Sequence, residues 1–207
     1  MIRFLRRIHW AALSIPALAL GLGLAGHSWA APPELAIKAC AACHEADGNS
    51  TIGQYPKLSG QKFDYLTLQL QAFRSGERAS AIMKPFAQSL TDAEIDALSR
   101  YYSAEHEVPE TSPIAPDAPR GRVIFRASCA SCHTSGGSRR GMMGGGMMMR
   151  TSPAITPNLF AQHAAYVVQQ LDAYASGARP GRVMGPIAAR LSREDRQAVA
   201  DYLASVK

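Results

Sequence analysis

The chain has 207 residues, with 22 Lys and Arg against 16 Asp and Glu for a formal charge of +6. That length suits one ordinary domain or two small ones. Three of the arginines (Arg3, Arg6 and Arg7) lie in an N-terminal stretch that reads as removable, leaving +3, too small an excess to indicate a nucleic-acid partner.

The first thirty residues have a three-part layout. A basic start is followed by an apolar run from Trp10 to Leu24, and Ser28-Trp29-Ala30 then places small residues at −3 and −1 of a cut after Ala30. That is the pattern of a secretory signal peptide. The apolar run is shorter than the roughly 18 residues of a spanning helix and is broken by Pro16, so residues 1–30 are expected to be cleaved rather than kept as an anchor.

Residues 31–106 form a first unit. Cys40-Ala41-Ala42-Cys43-His44 is a C-x-x-C-H run, the attachment signature of c-type haem. Two thiols three residues apart can add to the two haem vinyl groups, and the adjacent histidine then lies beneath the iron as proximal ligand. A redox dithiol or half a zinc site would use a similar pair, but the histidine and a second copy favour haem. Phe63, Leu66, Leu70 and Phe73 follow at helical spacing over 63–75. Thr91-Asp92-Ala93-Glu94 reads as a capping box, opening a helix with Ile95, Leu98 and Tyr102 on one side.

Residues 107–119 hold Pro109, Pro113, Pro116 and Pro119 and read as a semi-rigid linker. A second unit, 120–207, carries Cys129-Ala130-Ser131-Cys132-His133, with Ser192 placed to cap a last helix whose Val199 and Leu203 face inward. It repeats the first. Tyr55-Pro56-Lys57-Leu58 corresponds to Thr156-Pro157-Asn158-Leu159. Gln61, Tyr65, Gln69, Gly76 and Arg78 correspond to Gln162, Tyr166, Gln170, Gly177 and Arg179. These pairs are offset by 101 residues and the cysteines by 89, so the second unit has twelve extra residues after its haem motif. Each unit is small for a self-sufficient core, so a bound haem is expected to supply part of it. No segment alternates as a strand would, and the fold class is all-α.

Met83 and Met184 are the only methionines outside Met1 and a cluster at 142–149, and they hold equivalent repeat positions. A thioether is a neutral, soft ligand suited to reduced iron. The matched pair is therefore assigned as distal axial ligands, opposite His44 and His133, in preference to two unrelated core fillers. Pro56 and Pro157 stand where a carbonyl could accept the proximal ring's Nδ1–H, though they could simply shape a turn. His106 and His163 are expected to be solvated.

Residues 136–150 are rich in Gly and Met. Their thioethers, Met142, Met143, Met147, Met148 and Met149, would suit Cu(I), so copper binding is one reading. A drifted low-complexity loop or a soft docking surface are the others. Charge also divides along the chain. Residues 31–110 hold seven Lys and Arg against eleven Asp and Glu, and residues 111–207 hold twelve against five. Such a split can orient an encounter, or be surface drift.

Taken together, CAACH, CASCH, Tyr55-Pro-x-Leu-x-Gly-Gln61, Gln69-Leu70-x-x-Phe73-x-x-Gly76-x-Arg78 and the late methionines resemble the di-haem cytochromes c of the cytochrome c4 type, from about Glu34 to Lys207. The resemblance implies two tandem class I cytochrome c-like domains facing one another, each wrapped around one covalent haem c. It also implies a periplasmic electron carrier, not an enzyme. Its partners would be redox proteins, with a quinol-oxidising complex as donor and a terminal oxidase as acceptor, and peripheral contact with a membrane is compatible with that role. The departures are Gly60, which becomes Ala161, and the twelve-residue insertion. A di-haem peroxidase also carries two C-x-x-C-H motifs, but it needs an iron with an open position, and here each lobe offers a methionine.

Overall fold

The computed structural model describes residues 33–109, 115–133 and 154–206, and among these the secondary structure is helical with no strand. The expected signal segment 1–30, residues 110–114 of the linker and the 136–150 loop with its five methionines lie outside the described residues.

Lobe one begins with a π-helical turn, Ala36–Cys40, that runs into α1 (Ala41–His44). It continues with α2 (Phe63–Ser75), α3 (Met83–Ala87) and α4 (Asp92–Ala104). Lobe two repeats the order as α5 (Ala118–Ser128), α6 (Ala130–His133), α7 (Ala164–Ser176), α8 (Met184–Ala189) and α9 (Arg193–Ser205). α5 starts inside the stretch expected to be linker, because Pro119 fits the first turn of a helix, where no N–H partner is required.

Local chemistry sets the ends of these helices. α2 and α7 stop at Gly76 and Gly177, whose φ of 86° and 79° is left-handed and costs glycine little. α4 opens on a reciprocal box between Thr91 and Glu94. α9 opens on the same device, with Asp195 in place of the longer acid.

Each lobe has a modest apolar centre. Ala36, Leu66, Leu98 and Tyr102 form it in lobe one, and Phe125, Val167, Val199, Ala200 and Leu203 in lobe two. In lobe two α5 crosses α9 at Gly121, where a Cβ would stand 1.8 Å from the Ala198 carbonyl oxygen, so only glycine permits that approach.

The Gly60-to-Ala161 departure leaves the backbone path unchanged. Gly60 donates to the Tyr102 carbonyl at 3.0 Å and Ala161 to the Leu203 carbonyl at 2.9 Å, each tying its turn to the end of the last helix. Both have positive φ, 64° and 54°. Ala161 therefore carries a left-handed strain of about 1–2 kcal/mol that Gly60 does not.

The two lobes meet across a polar seam with reciprocal pairings. Gln162 accepts from the Lys57 N–H at 2.9 Å and donates to the Lys57 carbonyl at 3.0 Å. Gln61 does the same to Asn158, at 2.8 and 3.0 Å. Because Asn158 is the counterpart of Lys57, each glutamine grips the other lobe at the position equivalent to the one where its own lobe is gripped. This is isologous contact within one chain.

Candidate functional site

The helical turn before each histidine brings two thiols and an imidazole to one face. In lobe one the π-helical turn delivers Cys40, and α1 carries Cys43 and His44. His44 is buried, with Nδ1 2.9 Å from the Pro56 carbonyl oxygen. A carbonyl can only accept, so Nδ1 holds the proton, and a neutral ring then presents a bare lone pair at Nε2. Burial holds the His44 pKa below the usual imidazole value, with the Pro56 bond acting the other way. The ring is thus neutral at pH 7, the form that binds metal. Ser50 Oγ donates to the Cys43 carbonyl at 2.8 Å and steadies the turn that carries the pair.

Lobe two repeats this arrangement. His133 is buried with Nδ1 3.1 Å from the Pro157 carbonyl. Its pKa is likewise lowered, first by burial and also by the Lys62 charge from lobe one, while the Pro157 bond opposes both.

Burial pushes the Cys129 thiol up to about 11, with the neighbouring Cys132 adding to the rise. Burial raises Cys40 as well. Dithiol oxidoreductases need one thiol shifted downward, and Cys40 and Cys129 are shifted the other way. Among the described residues no three His, Cys, Asp or Glu side chains gather as a closed zinc site would require.

Met83 and Met184 stand at equivalent places, each the first residue of a short helix (α3 or α8). Met184 lines the same cavity as Cys129, Cys132 and His133, with Ile155, Val183 and Ile187 giving it apolar walls. Two thiols, an imidazole and a thioether around an apolar space fit a covalently held haem.

The cavity is not built from lobe two alone. Tyr65, Leu68, Gln69 and Ala72 of α2, together with Arg78 beyond it, close its wall from lobe one. Lobe two supplies the thiols, imidazole and thioether of this cavity, and α2 of the neighbouring lobe adds to its wall. Gln69, Arg78 and Arg179 were visible in the sequence only as members of matched pairs, and it is the seam that brings the lobe-one members to the cavity.

The two extra histidines separate. His106 is exposed. His163, expected to be solvated, is 6% exposed, with Nε2 2.7 Å from the Ser50 carbonyl of lobe one. It stands at the N-cap position of α7, where its ring reaches across the seam to lobe one. No helix of the described residues is long and apolar enough to cross a membrane.

Residues 27–101 and 116–203 match the family model described as cytochrome C oxidase, cbb3-type, subunit III. The chain is 31% identical over 204 residues to a cytochrome c4 of Pseudomonas aeruginosa, covering 90% of this chain and 95% of that protein. It is 34% identical over 226 residues to a thiosulfate dehydrogenase electron acceptor of Stutzerimonas stutzeri, covering 98% and 97%. Among solved structures, the reduced recombinant cytochrome c4 from Pseudomonas stutzeri is similar with a TM-score of 0.70 at 29% identity, covering 83% of this chain and 95% of that one.

Proposed function

The chain belongs to the cytochrome c4 family of di-haem electron-transfer proteins, and we propose that Cys40 and Cys43 hold the first haem and Cys129 and Cys132 the second. In this reading His44 and Met83 ligate the first iron, and His133 and Met184 the second. The observation that carries it is the doubled histidine geometry, a buried neutral imidazole pinned by a proline carbonyl at 2.9 and 3.1 Å in the two repeats.

When bound, each haem supplies an iron that cycles between Fe(III) and Fe(II) by one electron. The protein's own residues set the conditions. Pro56 and Pro157 fix the ring planes and make the imidazoles better donors through their Nδ1–H bonds. The methionine thioethers favour Fe(II) and so raise the potentials. A neutral, soft ligand on each iron suits reversible electron carriage, and a catalytic peroxide site would need one position open.

The domain division follows the repeat: 31–106, a linker at 107–119, and 120–207, after a signal removed on export to the periplasm. Electrons enter from a quinol-oxidising complex and leave to a terminal oxidase. A second donor is favoured by a specific observation, since a relative that matches nearly end to end is a thiosulfate dehydrogenase electron acceptor. A dehydrogenase oxidising a reduced sulfur anion would deliver electrons to the same haems.

The test is intact-mass spectrometry of the exported protein followed by optical spectroscopy. The chain from Ala31 plus two haem masses is expected, with low-spin spectra and a near-infrared thioether-to-iron band when oxidised. One haem, a high-spin iron, or unchanged spectra in Met83→Ala would overturn the assignment.

A further inference from the structure

This inference rests on the di-haem reading and concerns hydroxyl groups that the iron ligands do not use. Among the described residues three buried hydroxyls have no hydrogen-bond partner, those of Thr67, Ser99 and Tyr102, and all three belong to lobe one. A buried donor without a partner forfeits its bond to water and gains nothing in return, so such groups are rare in folded chains. The repeat sharpens the pattern. At the 101-residue offset their counterparts are Val168, Ala200 and Leu203, which carry no polar side-chain atom and pack in the apolar centre of lobe two. The same three positions are apolar in one copy and hydroxylated in the other.

Tyr102 is the one tied to a haem-attachment cysteine. It is 3% exposed on α4, and Cys40 packs against the apolar cluster to which it belongs. Burial raises the Tyr102 phenol, and the Cys40 thiol adds to the rise, so the group keeps its proton and can donate. Burial raises the Cys40 thiol as well, and the Tyr102 hydroxyl works against that rise as a donor would. In the free-thiol chain this contact falls short of a full hydrogen bond. Thr67 and Ser99 have no such link to Cys40. Lobe two has the same arrangement without the donor, since Cys129 packs against the cluster that holds Leu203, itself 1% exposed. Haem attachment fixes the direction of the bond. The thiol adds across a vinyl group, a carbon–sulfur bond forms, and the thiol hydrogen goes to the other vinyl carbon. The sulfur is then a thioether, which has no proton and can only accept.

We propose that the Tyr102 hydroxyl donates a hydrogen bond to the Cys40 sulfur of the first haem attachment, a contact that the second attachment lacks. A thioether is a weak acceptor, but in a buried site with water excluded the bond is strengthened. Tyr102 is a positioning residue and does not touch iron. Its donation draws electron density from the sulfur, and through it from the macrocycle, which favours Fe(II). The hydroxyl therefore raises the potential of the first haem and leaves the second alone.

Tyr102→Phe keeps the ring and removes only the hydroxyl. It is tested in the two-haem protein, with intact mass confirming both haems, by spectroelectrochemical titration and by resonance Raman of the thioether carbon–sulfur bands. One midpoint should fall while the other holds, and a carbon–sulfur band should move. The affected haem should be the one whose near-infrared band Met83→His abolishes. Thr67→Val removes a buried hydroxyl and writes in the lobe-two residue, and it should leave both midpoints in place. If Tyr102→Phe does not assemble, wild-type protein in deuterium oxide serves, because exchange of the phenolic proton should shift a carbon–sulfur band of one haem. Unmoved midpoints, both midpoints falling together, an equal shift in Thr67→Val, or carbon–sulfur bands that respond neither to the substitution nor to deuterium would overturn the proposal. Wild-type protein without two covalent haems would instead overturn the family-based site assignment, so the two failures are distinguishable.

Discussion

Gln162→Ala should destabilise the protein more than Gln61→Ala, although both remove the same two seam bonds. Gln162 is bonded to both the N–H and the carbonyl of Lys57, and both residues are buried, at 7% and 6% exposed. Two such bonds contribute about 1 kcal/mol each, and stranding a buried backbone group adds about another 1–3 kcal/mol. The expected loss is therefore about 3–5 kcal/mol. Gln61 grips Asn158, which is only half-buried, so water can take over the freed groups. The Asn158 side chain also keeps its own bond to the Gly60 carbonyl at 2.9 Å. That loss should be about 1–2 kcal/mol. Urea unfolding of the di-haem protein, followed by far-ultraviolet circular dichroism and by the Soret band, gives both values. Equal costs, or a greater cost for Gln61→Ala, would refute the claim that burial at the two ends of the seam decides the outcome.

Gly121→Ala should cost about 3 kcal/mol or prevent lobe two from assembling, because the new methyl overlaps the Ala198 carbonyl and forces α5 off α9; thermal unfolding measures it, and a wild-type melting temperature would contradict the crossing. The two capping boxes should make stability fall in acid. Glu94 is held below the usual carboxylate range by the Thr91 N–H and then its hydroxyl, and Asp195 first by the Ser192 N–H. A depressed folded pKa means this stabilisation is complete above the ordinary carboxylate pKa, about 4, and is lost as pH falls through the lower folded value. Urea midpoints between pH 6 and 3 should drop more steeply in wild type than in Glu94→Gln, and parallel curves would contradict it. Met83→His should abolish the thioether band of one haem and lower that haem's potential alone, since imidazole favours Fe(III) more than thioether does; a change at neither or both haems would count against the ligand assignment.

What could be read in the sequence was mainly what is local. The helix over 63–75 was legible from its apolar spacing, and Thr91 and Ser192 marked the starts of α4 and α9, because periodicity and capping depend on residues within a turn or two. The Asp195 half of the last box was missed, since a capping box is usually sought with a longer acid at that place. Seam chemistry was present only as a list of matched pairs. A duplicated core explains such matches as well as an interface does, and nothing in Gln61 or Arg78 says that its partner lies in the other copy. His163 shows the same limit. It aligns with Lys62, a surface type, and only the approach of lobe one to the start of α7 buries it. Arg196 pairs with Asp172, its Nε 2.8 Å from Oδ1. Arg190 and Arg193 are exposed.

The duplication bears on why the lobes differ where they do. At an isologous seam a substitution on one side is answered by the equivalent position on the other, so Gln61 with Gln162, Gln69 with Gln170 and Arg78 with Arg179 are constrained as pairs. Positions away from that reciprocity have no such tie. The outer surfaces carry the divergence, with lobe one rich in acids and lobe two in arginines. The copies also differ at Lys62 and His163, beside the seam glutamines, and the histidine bonds across to Ser50. Ser50 in turn donates to the Cys43 carbonyl in the first haem motif. One end of the seam is thus connected, through two hydrogen bonds, to the turn that carries His44. At the other end the Lys62 charge helps to lower the His133 pKa. Two lobes built on one pattern therefore give their histidines surroundings that are not identical. The two irons need not share one potential even if their ligands are identical.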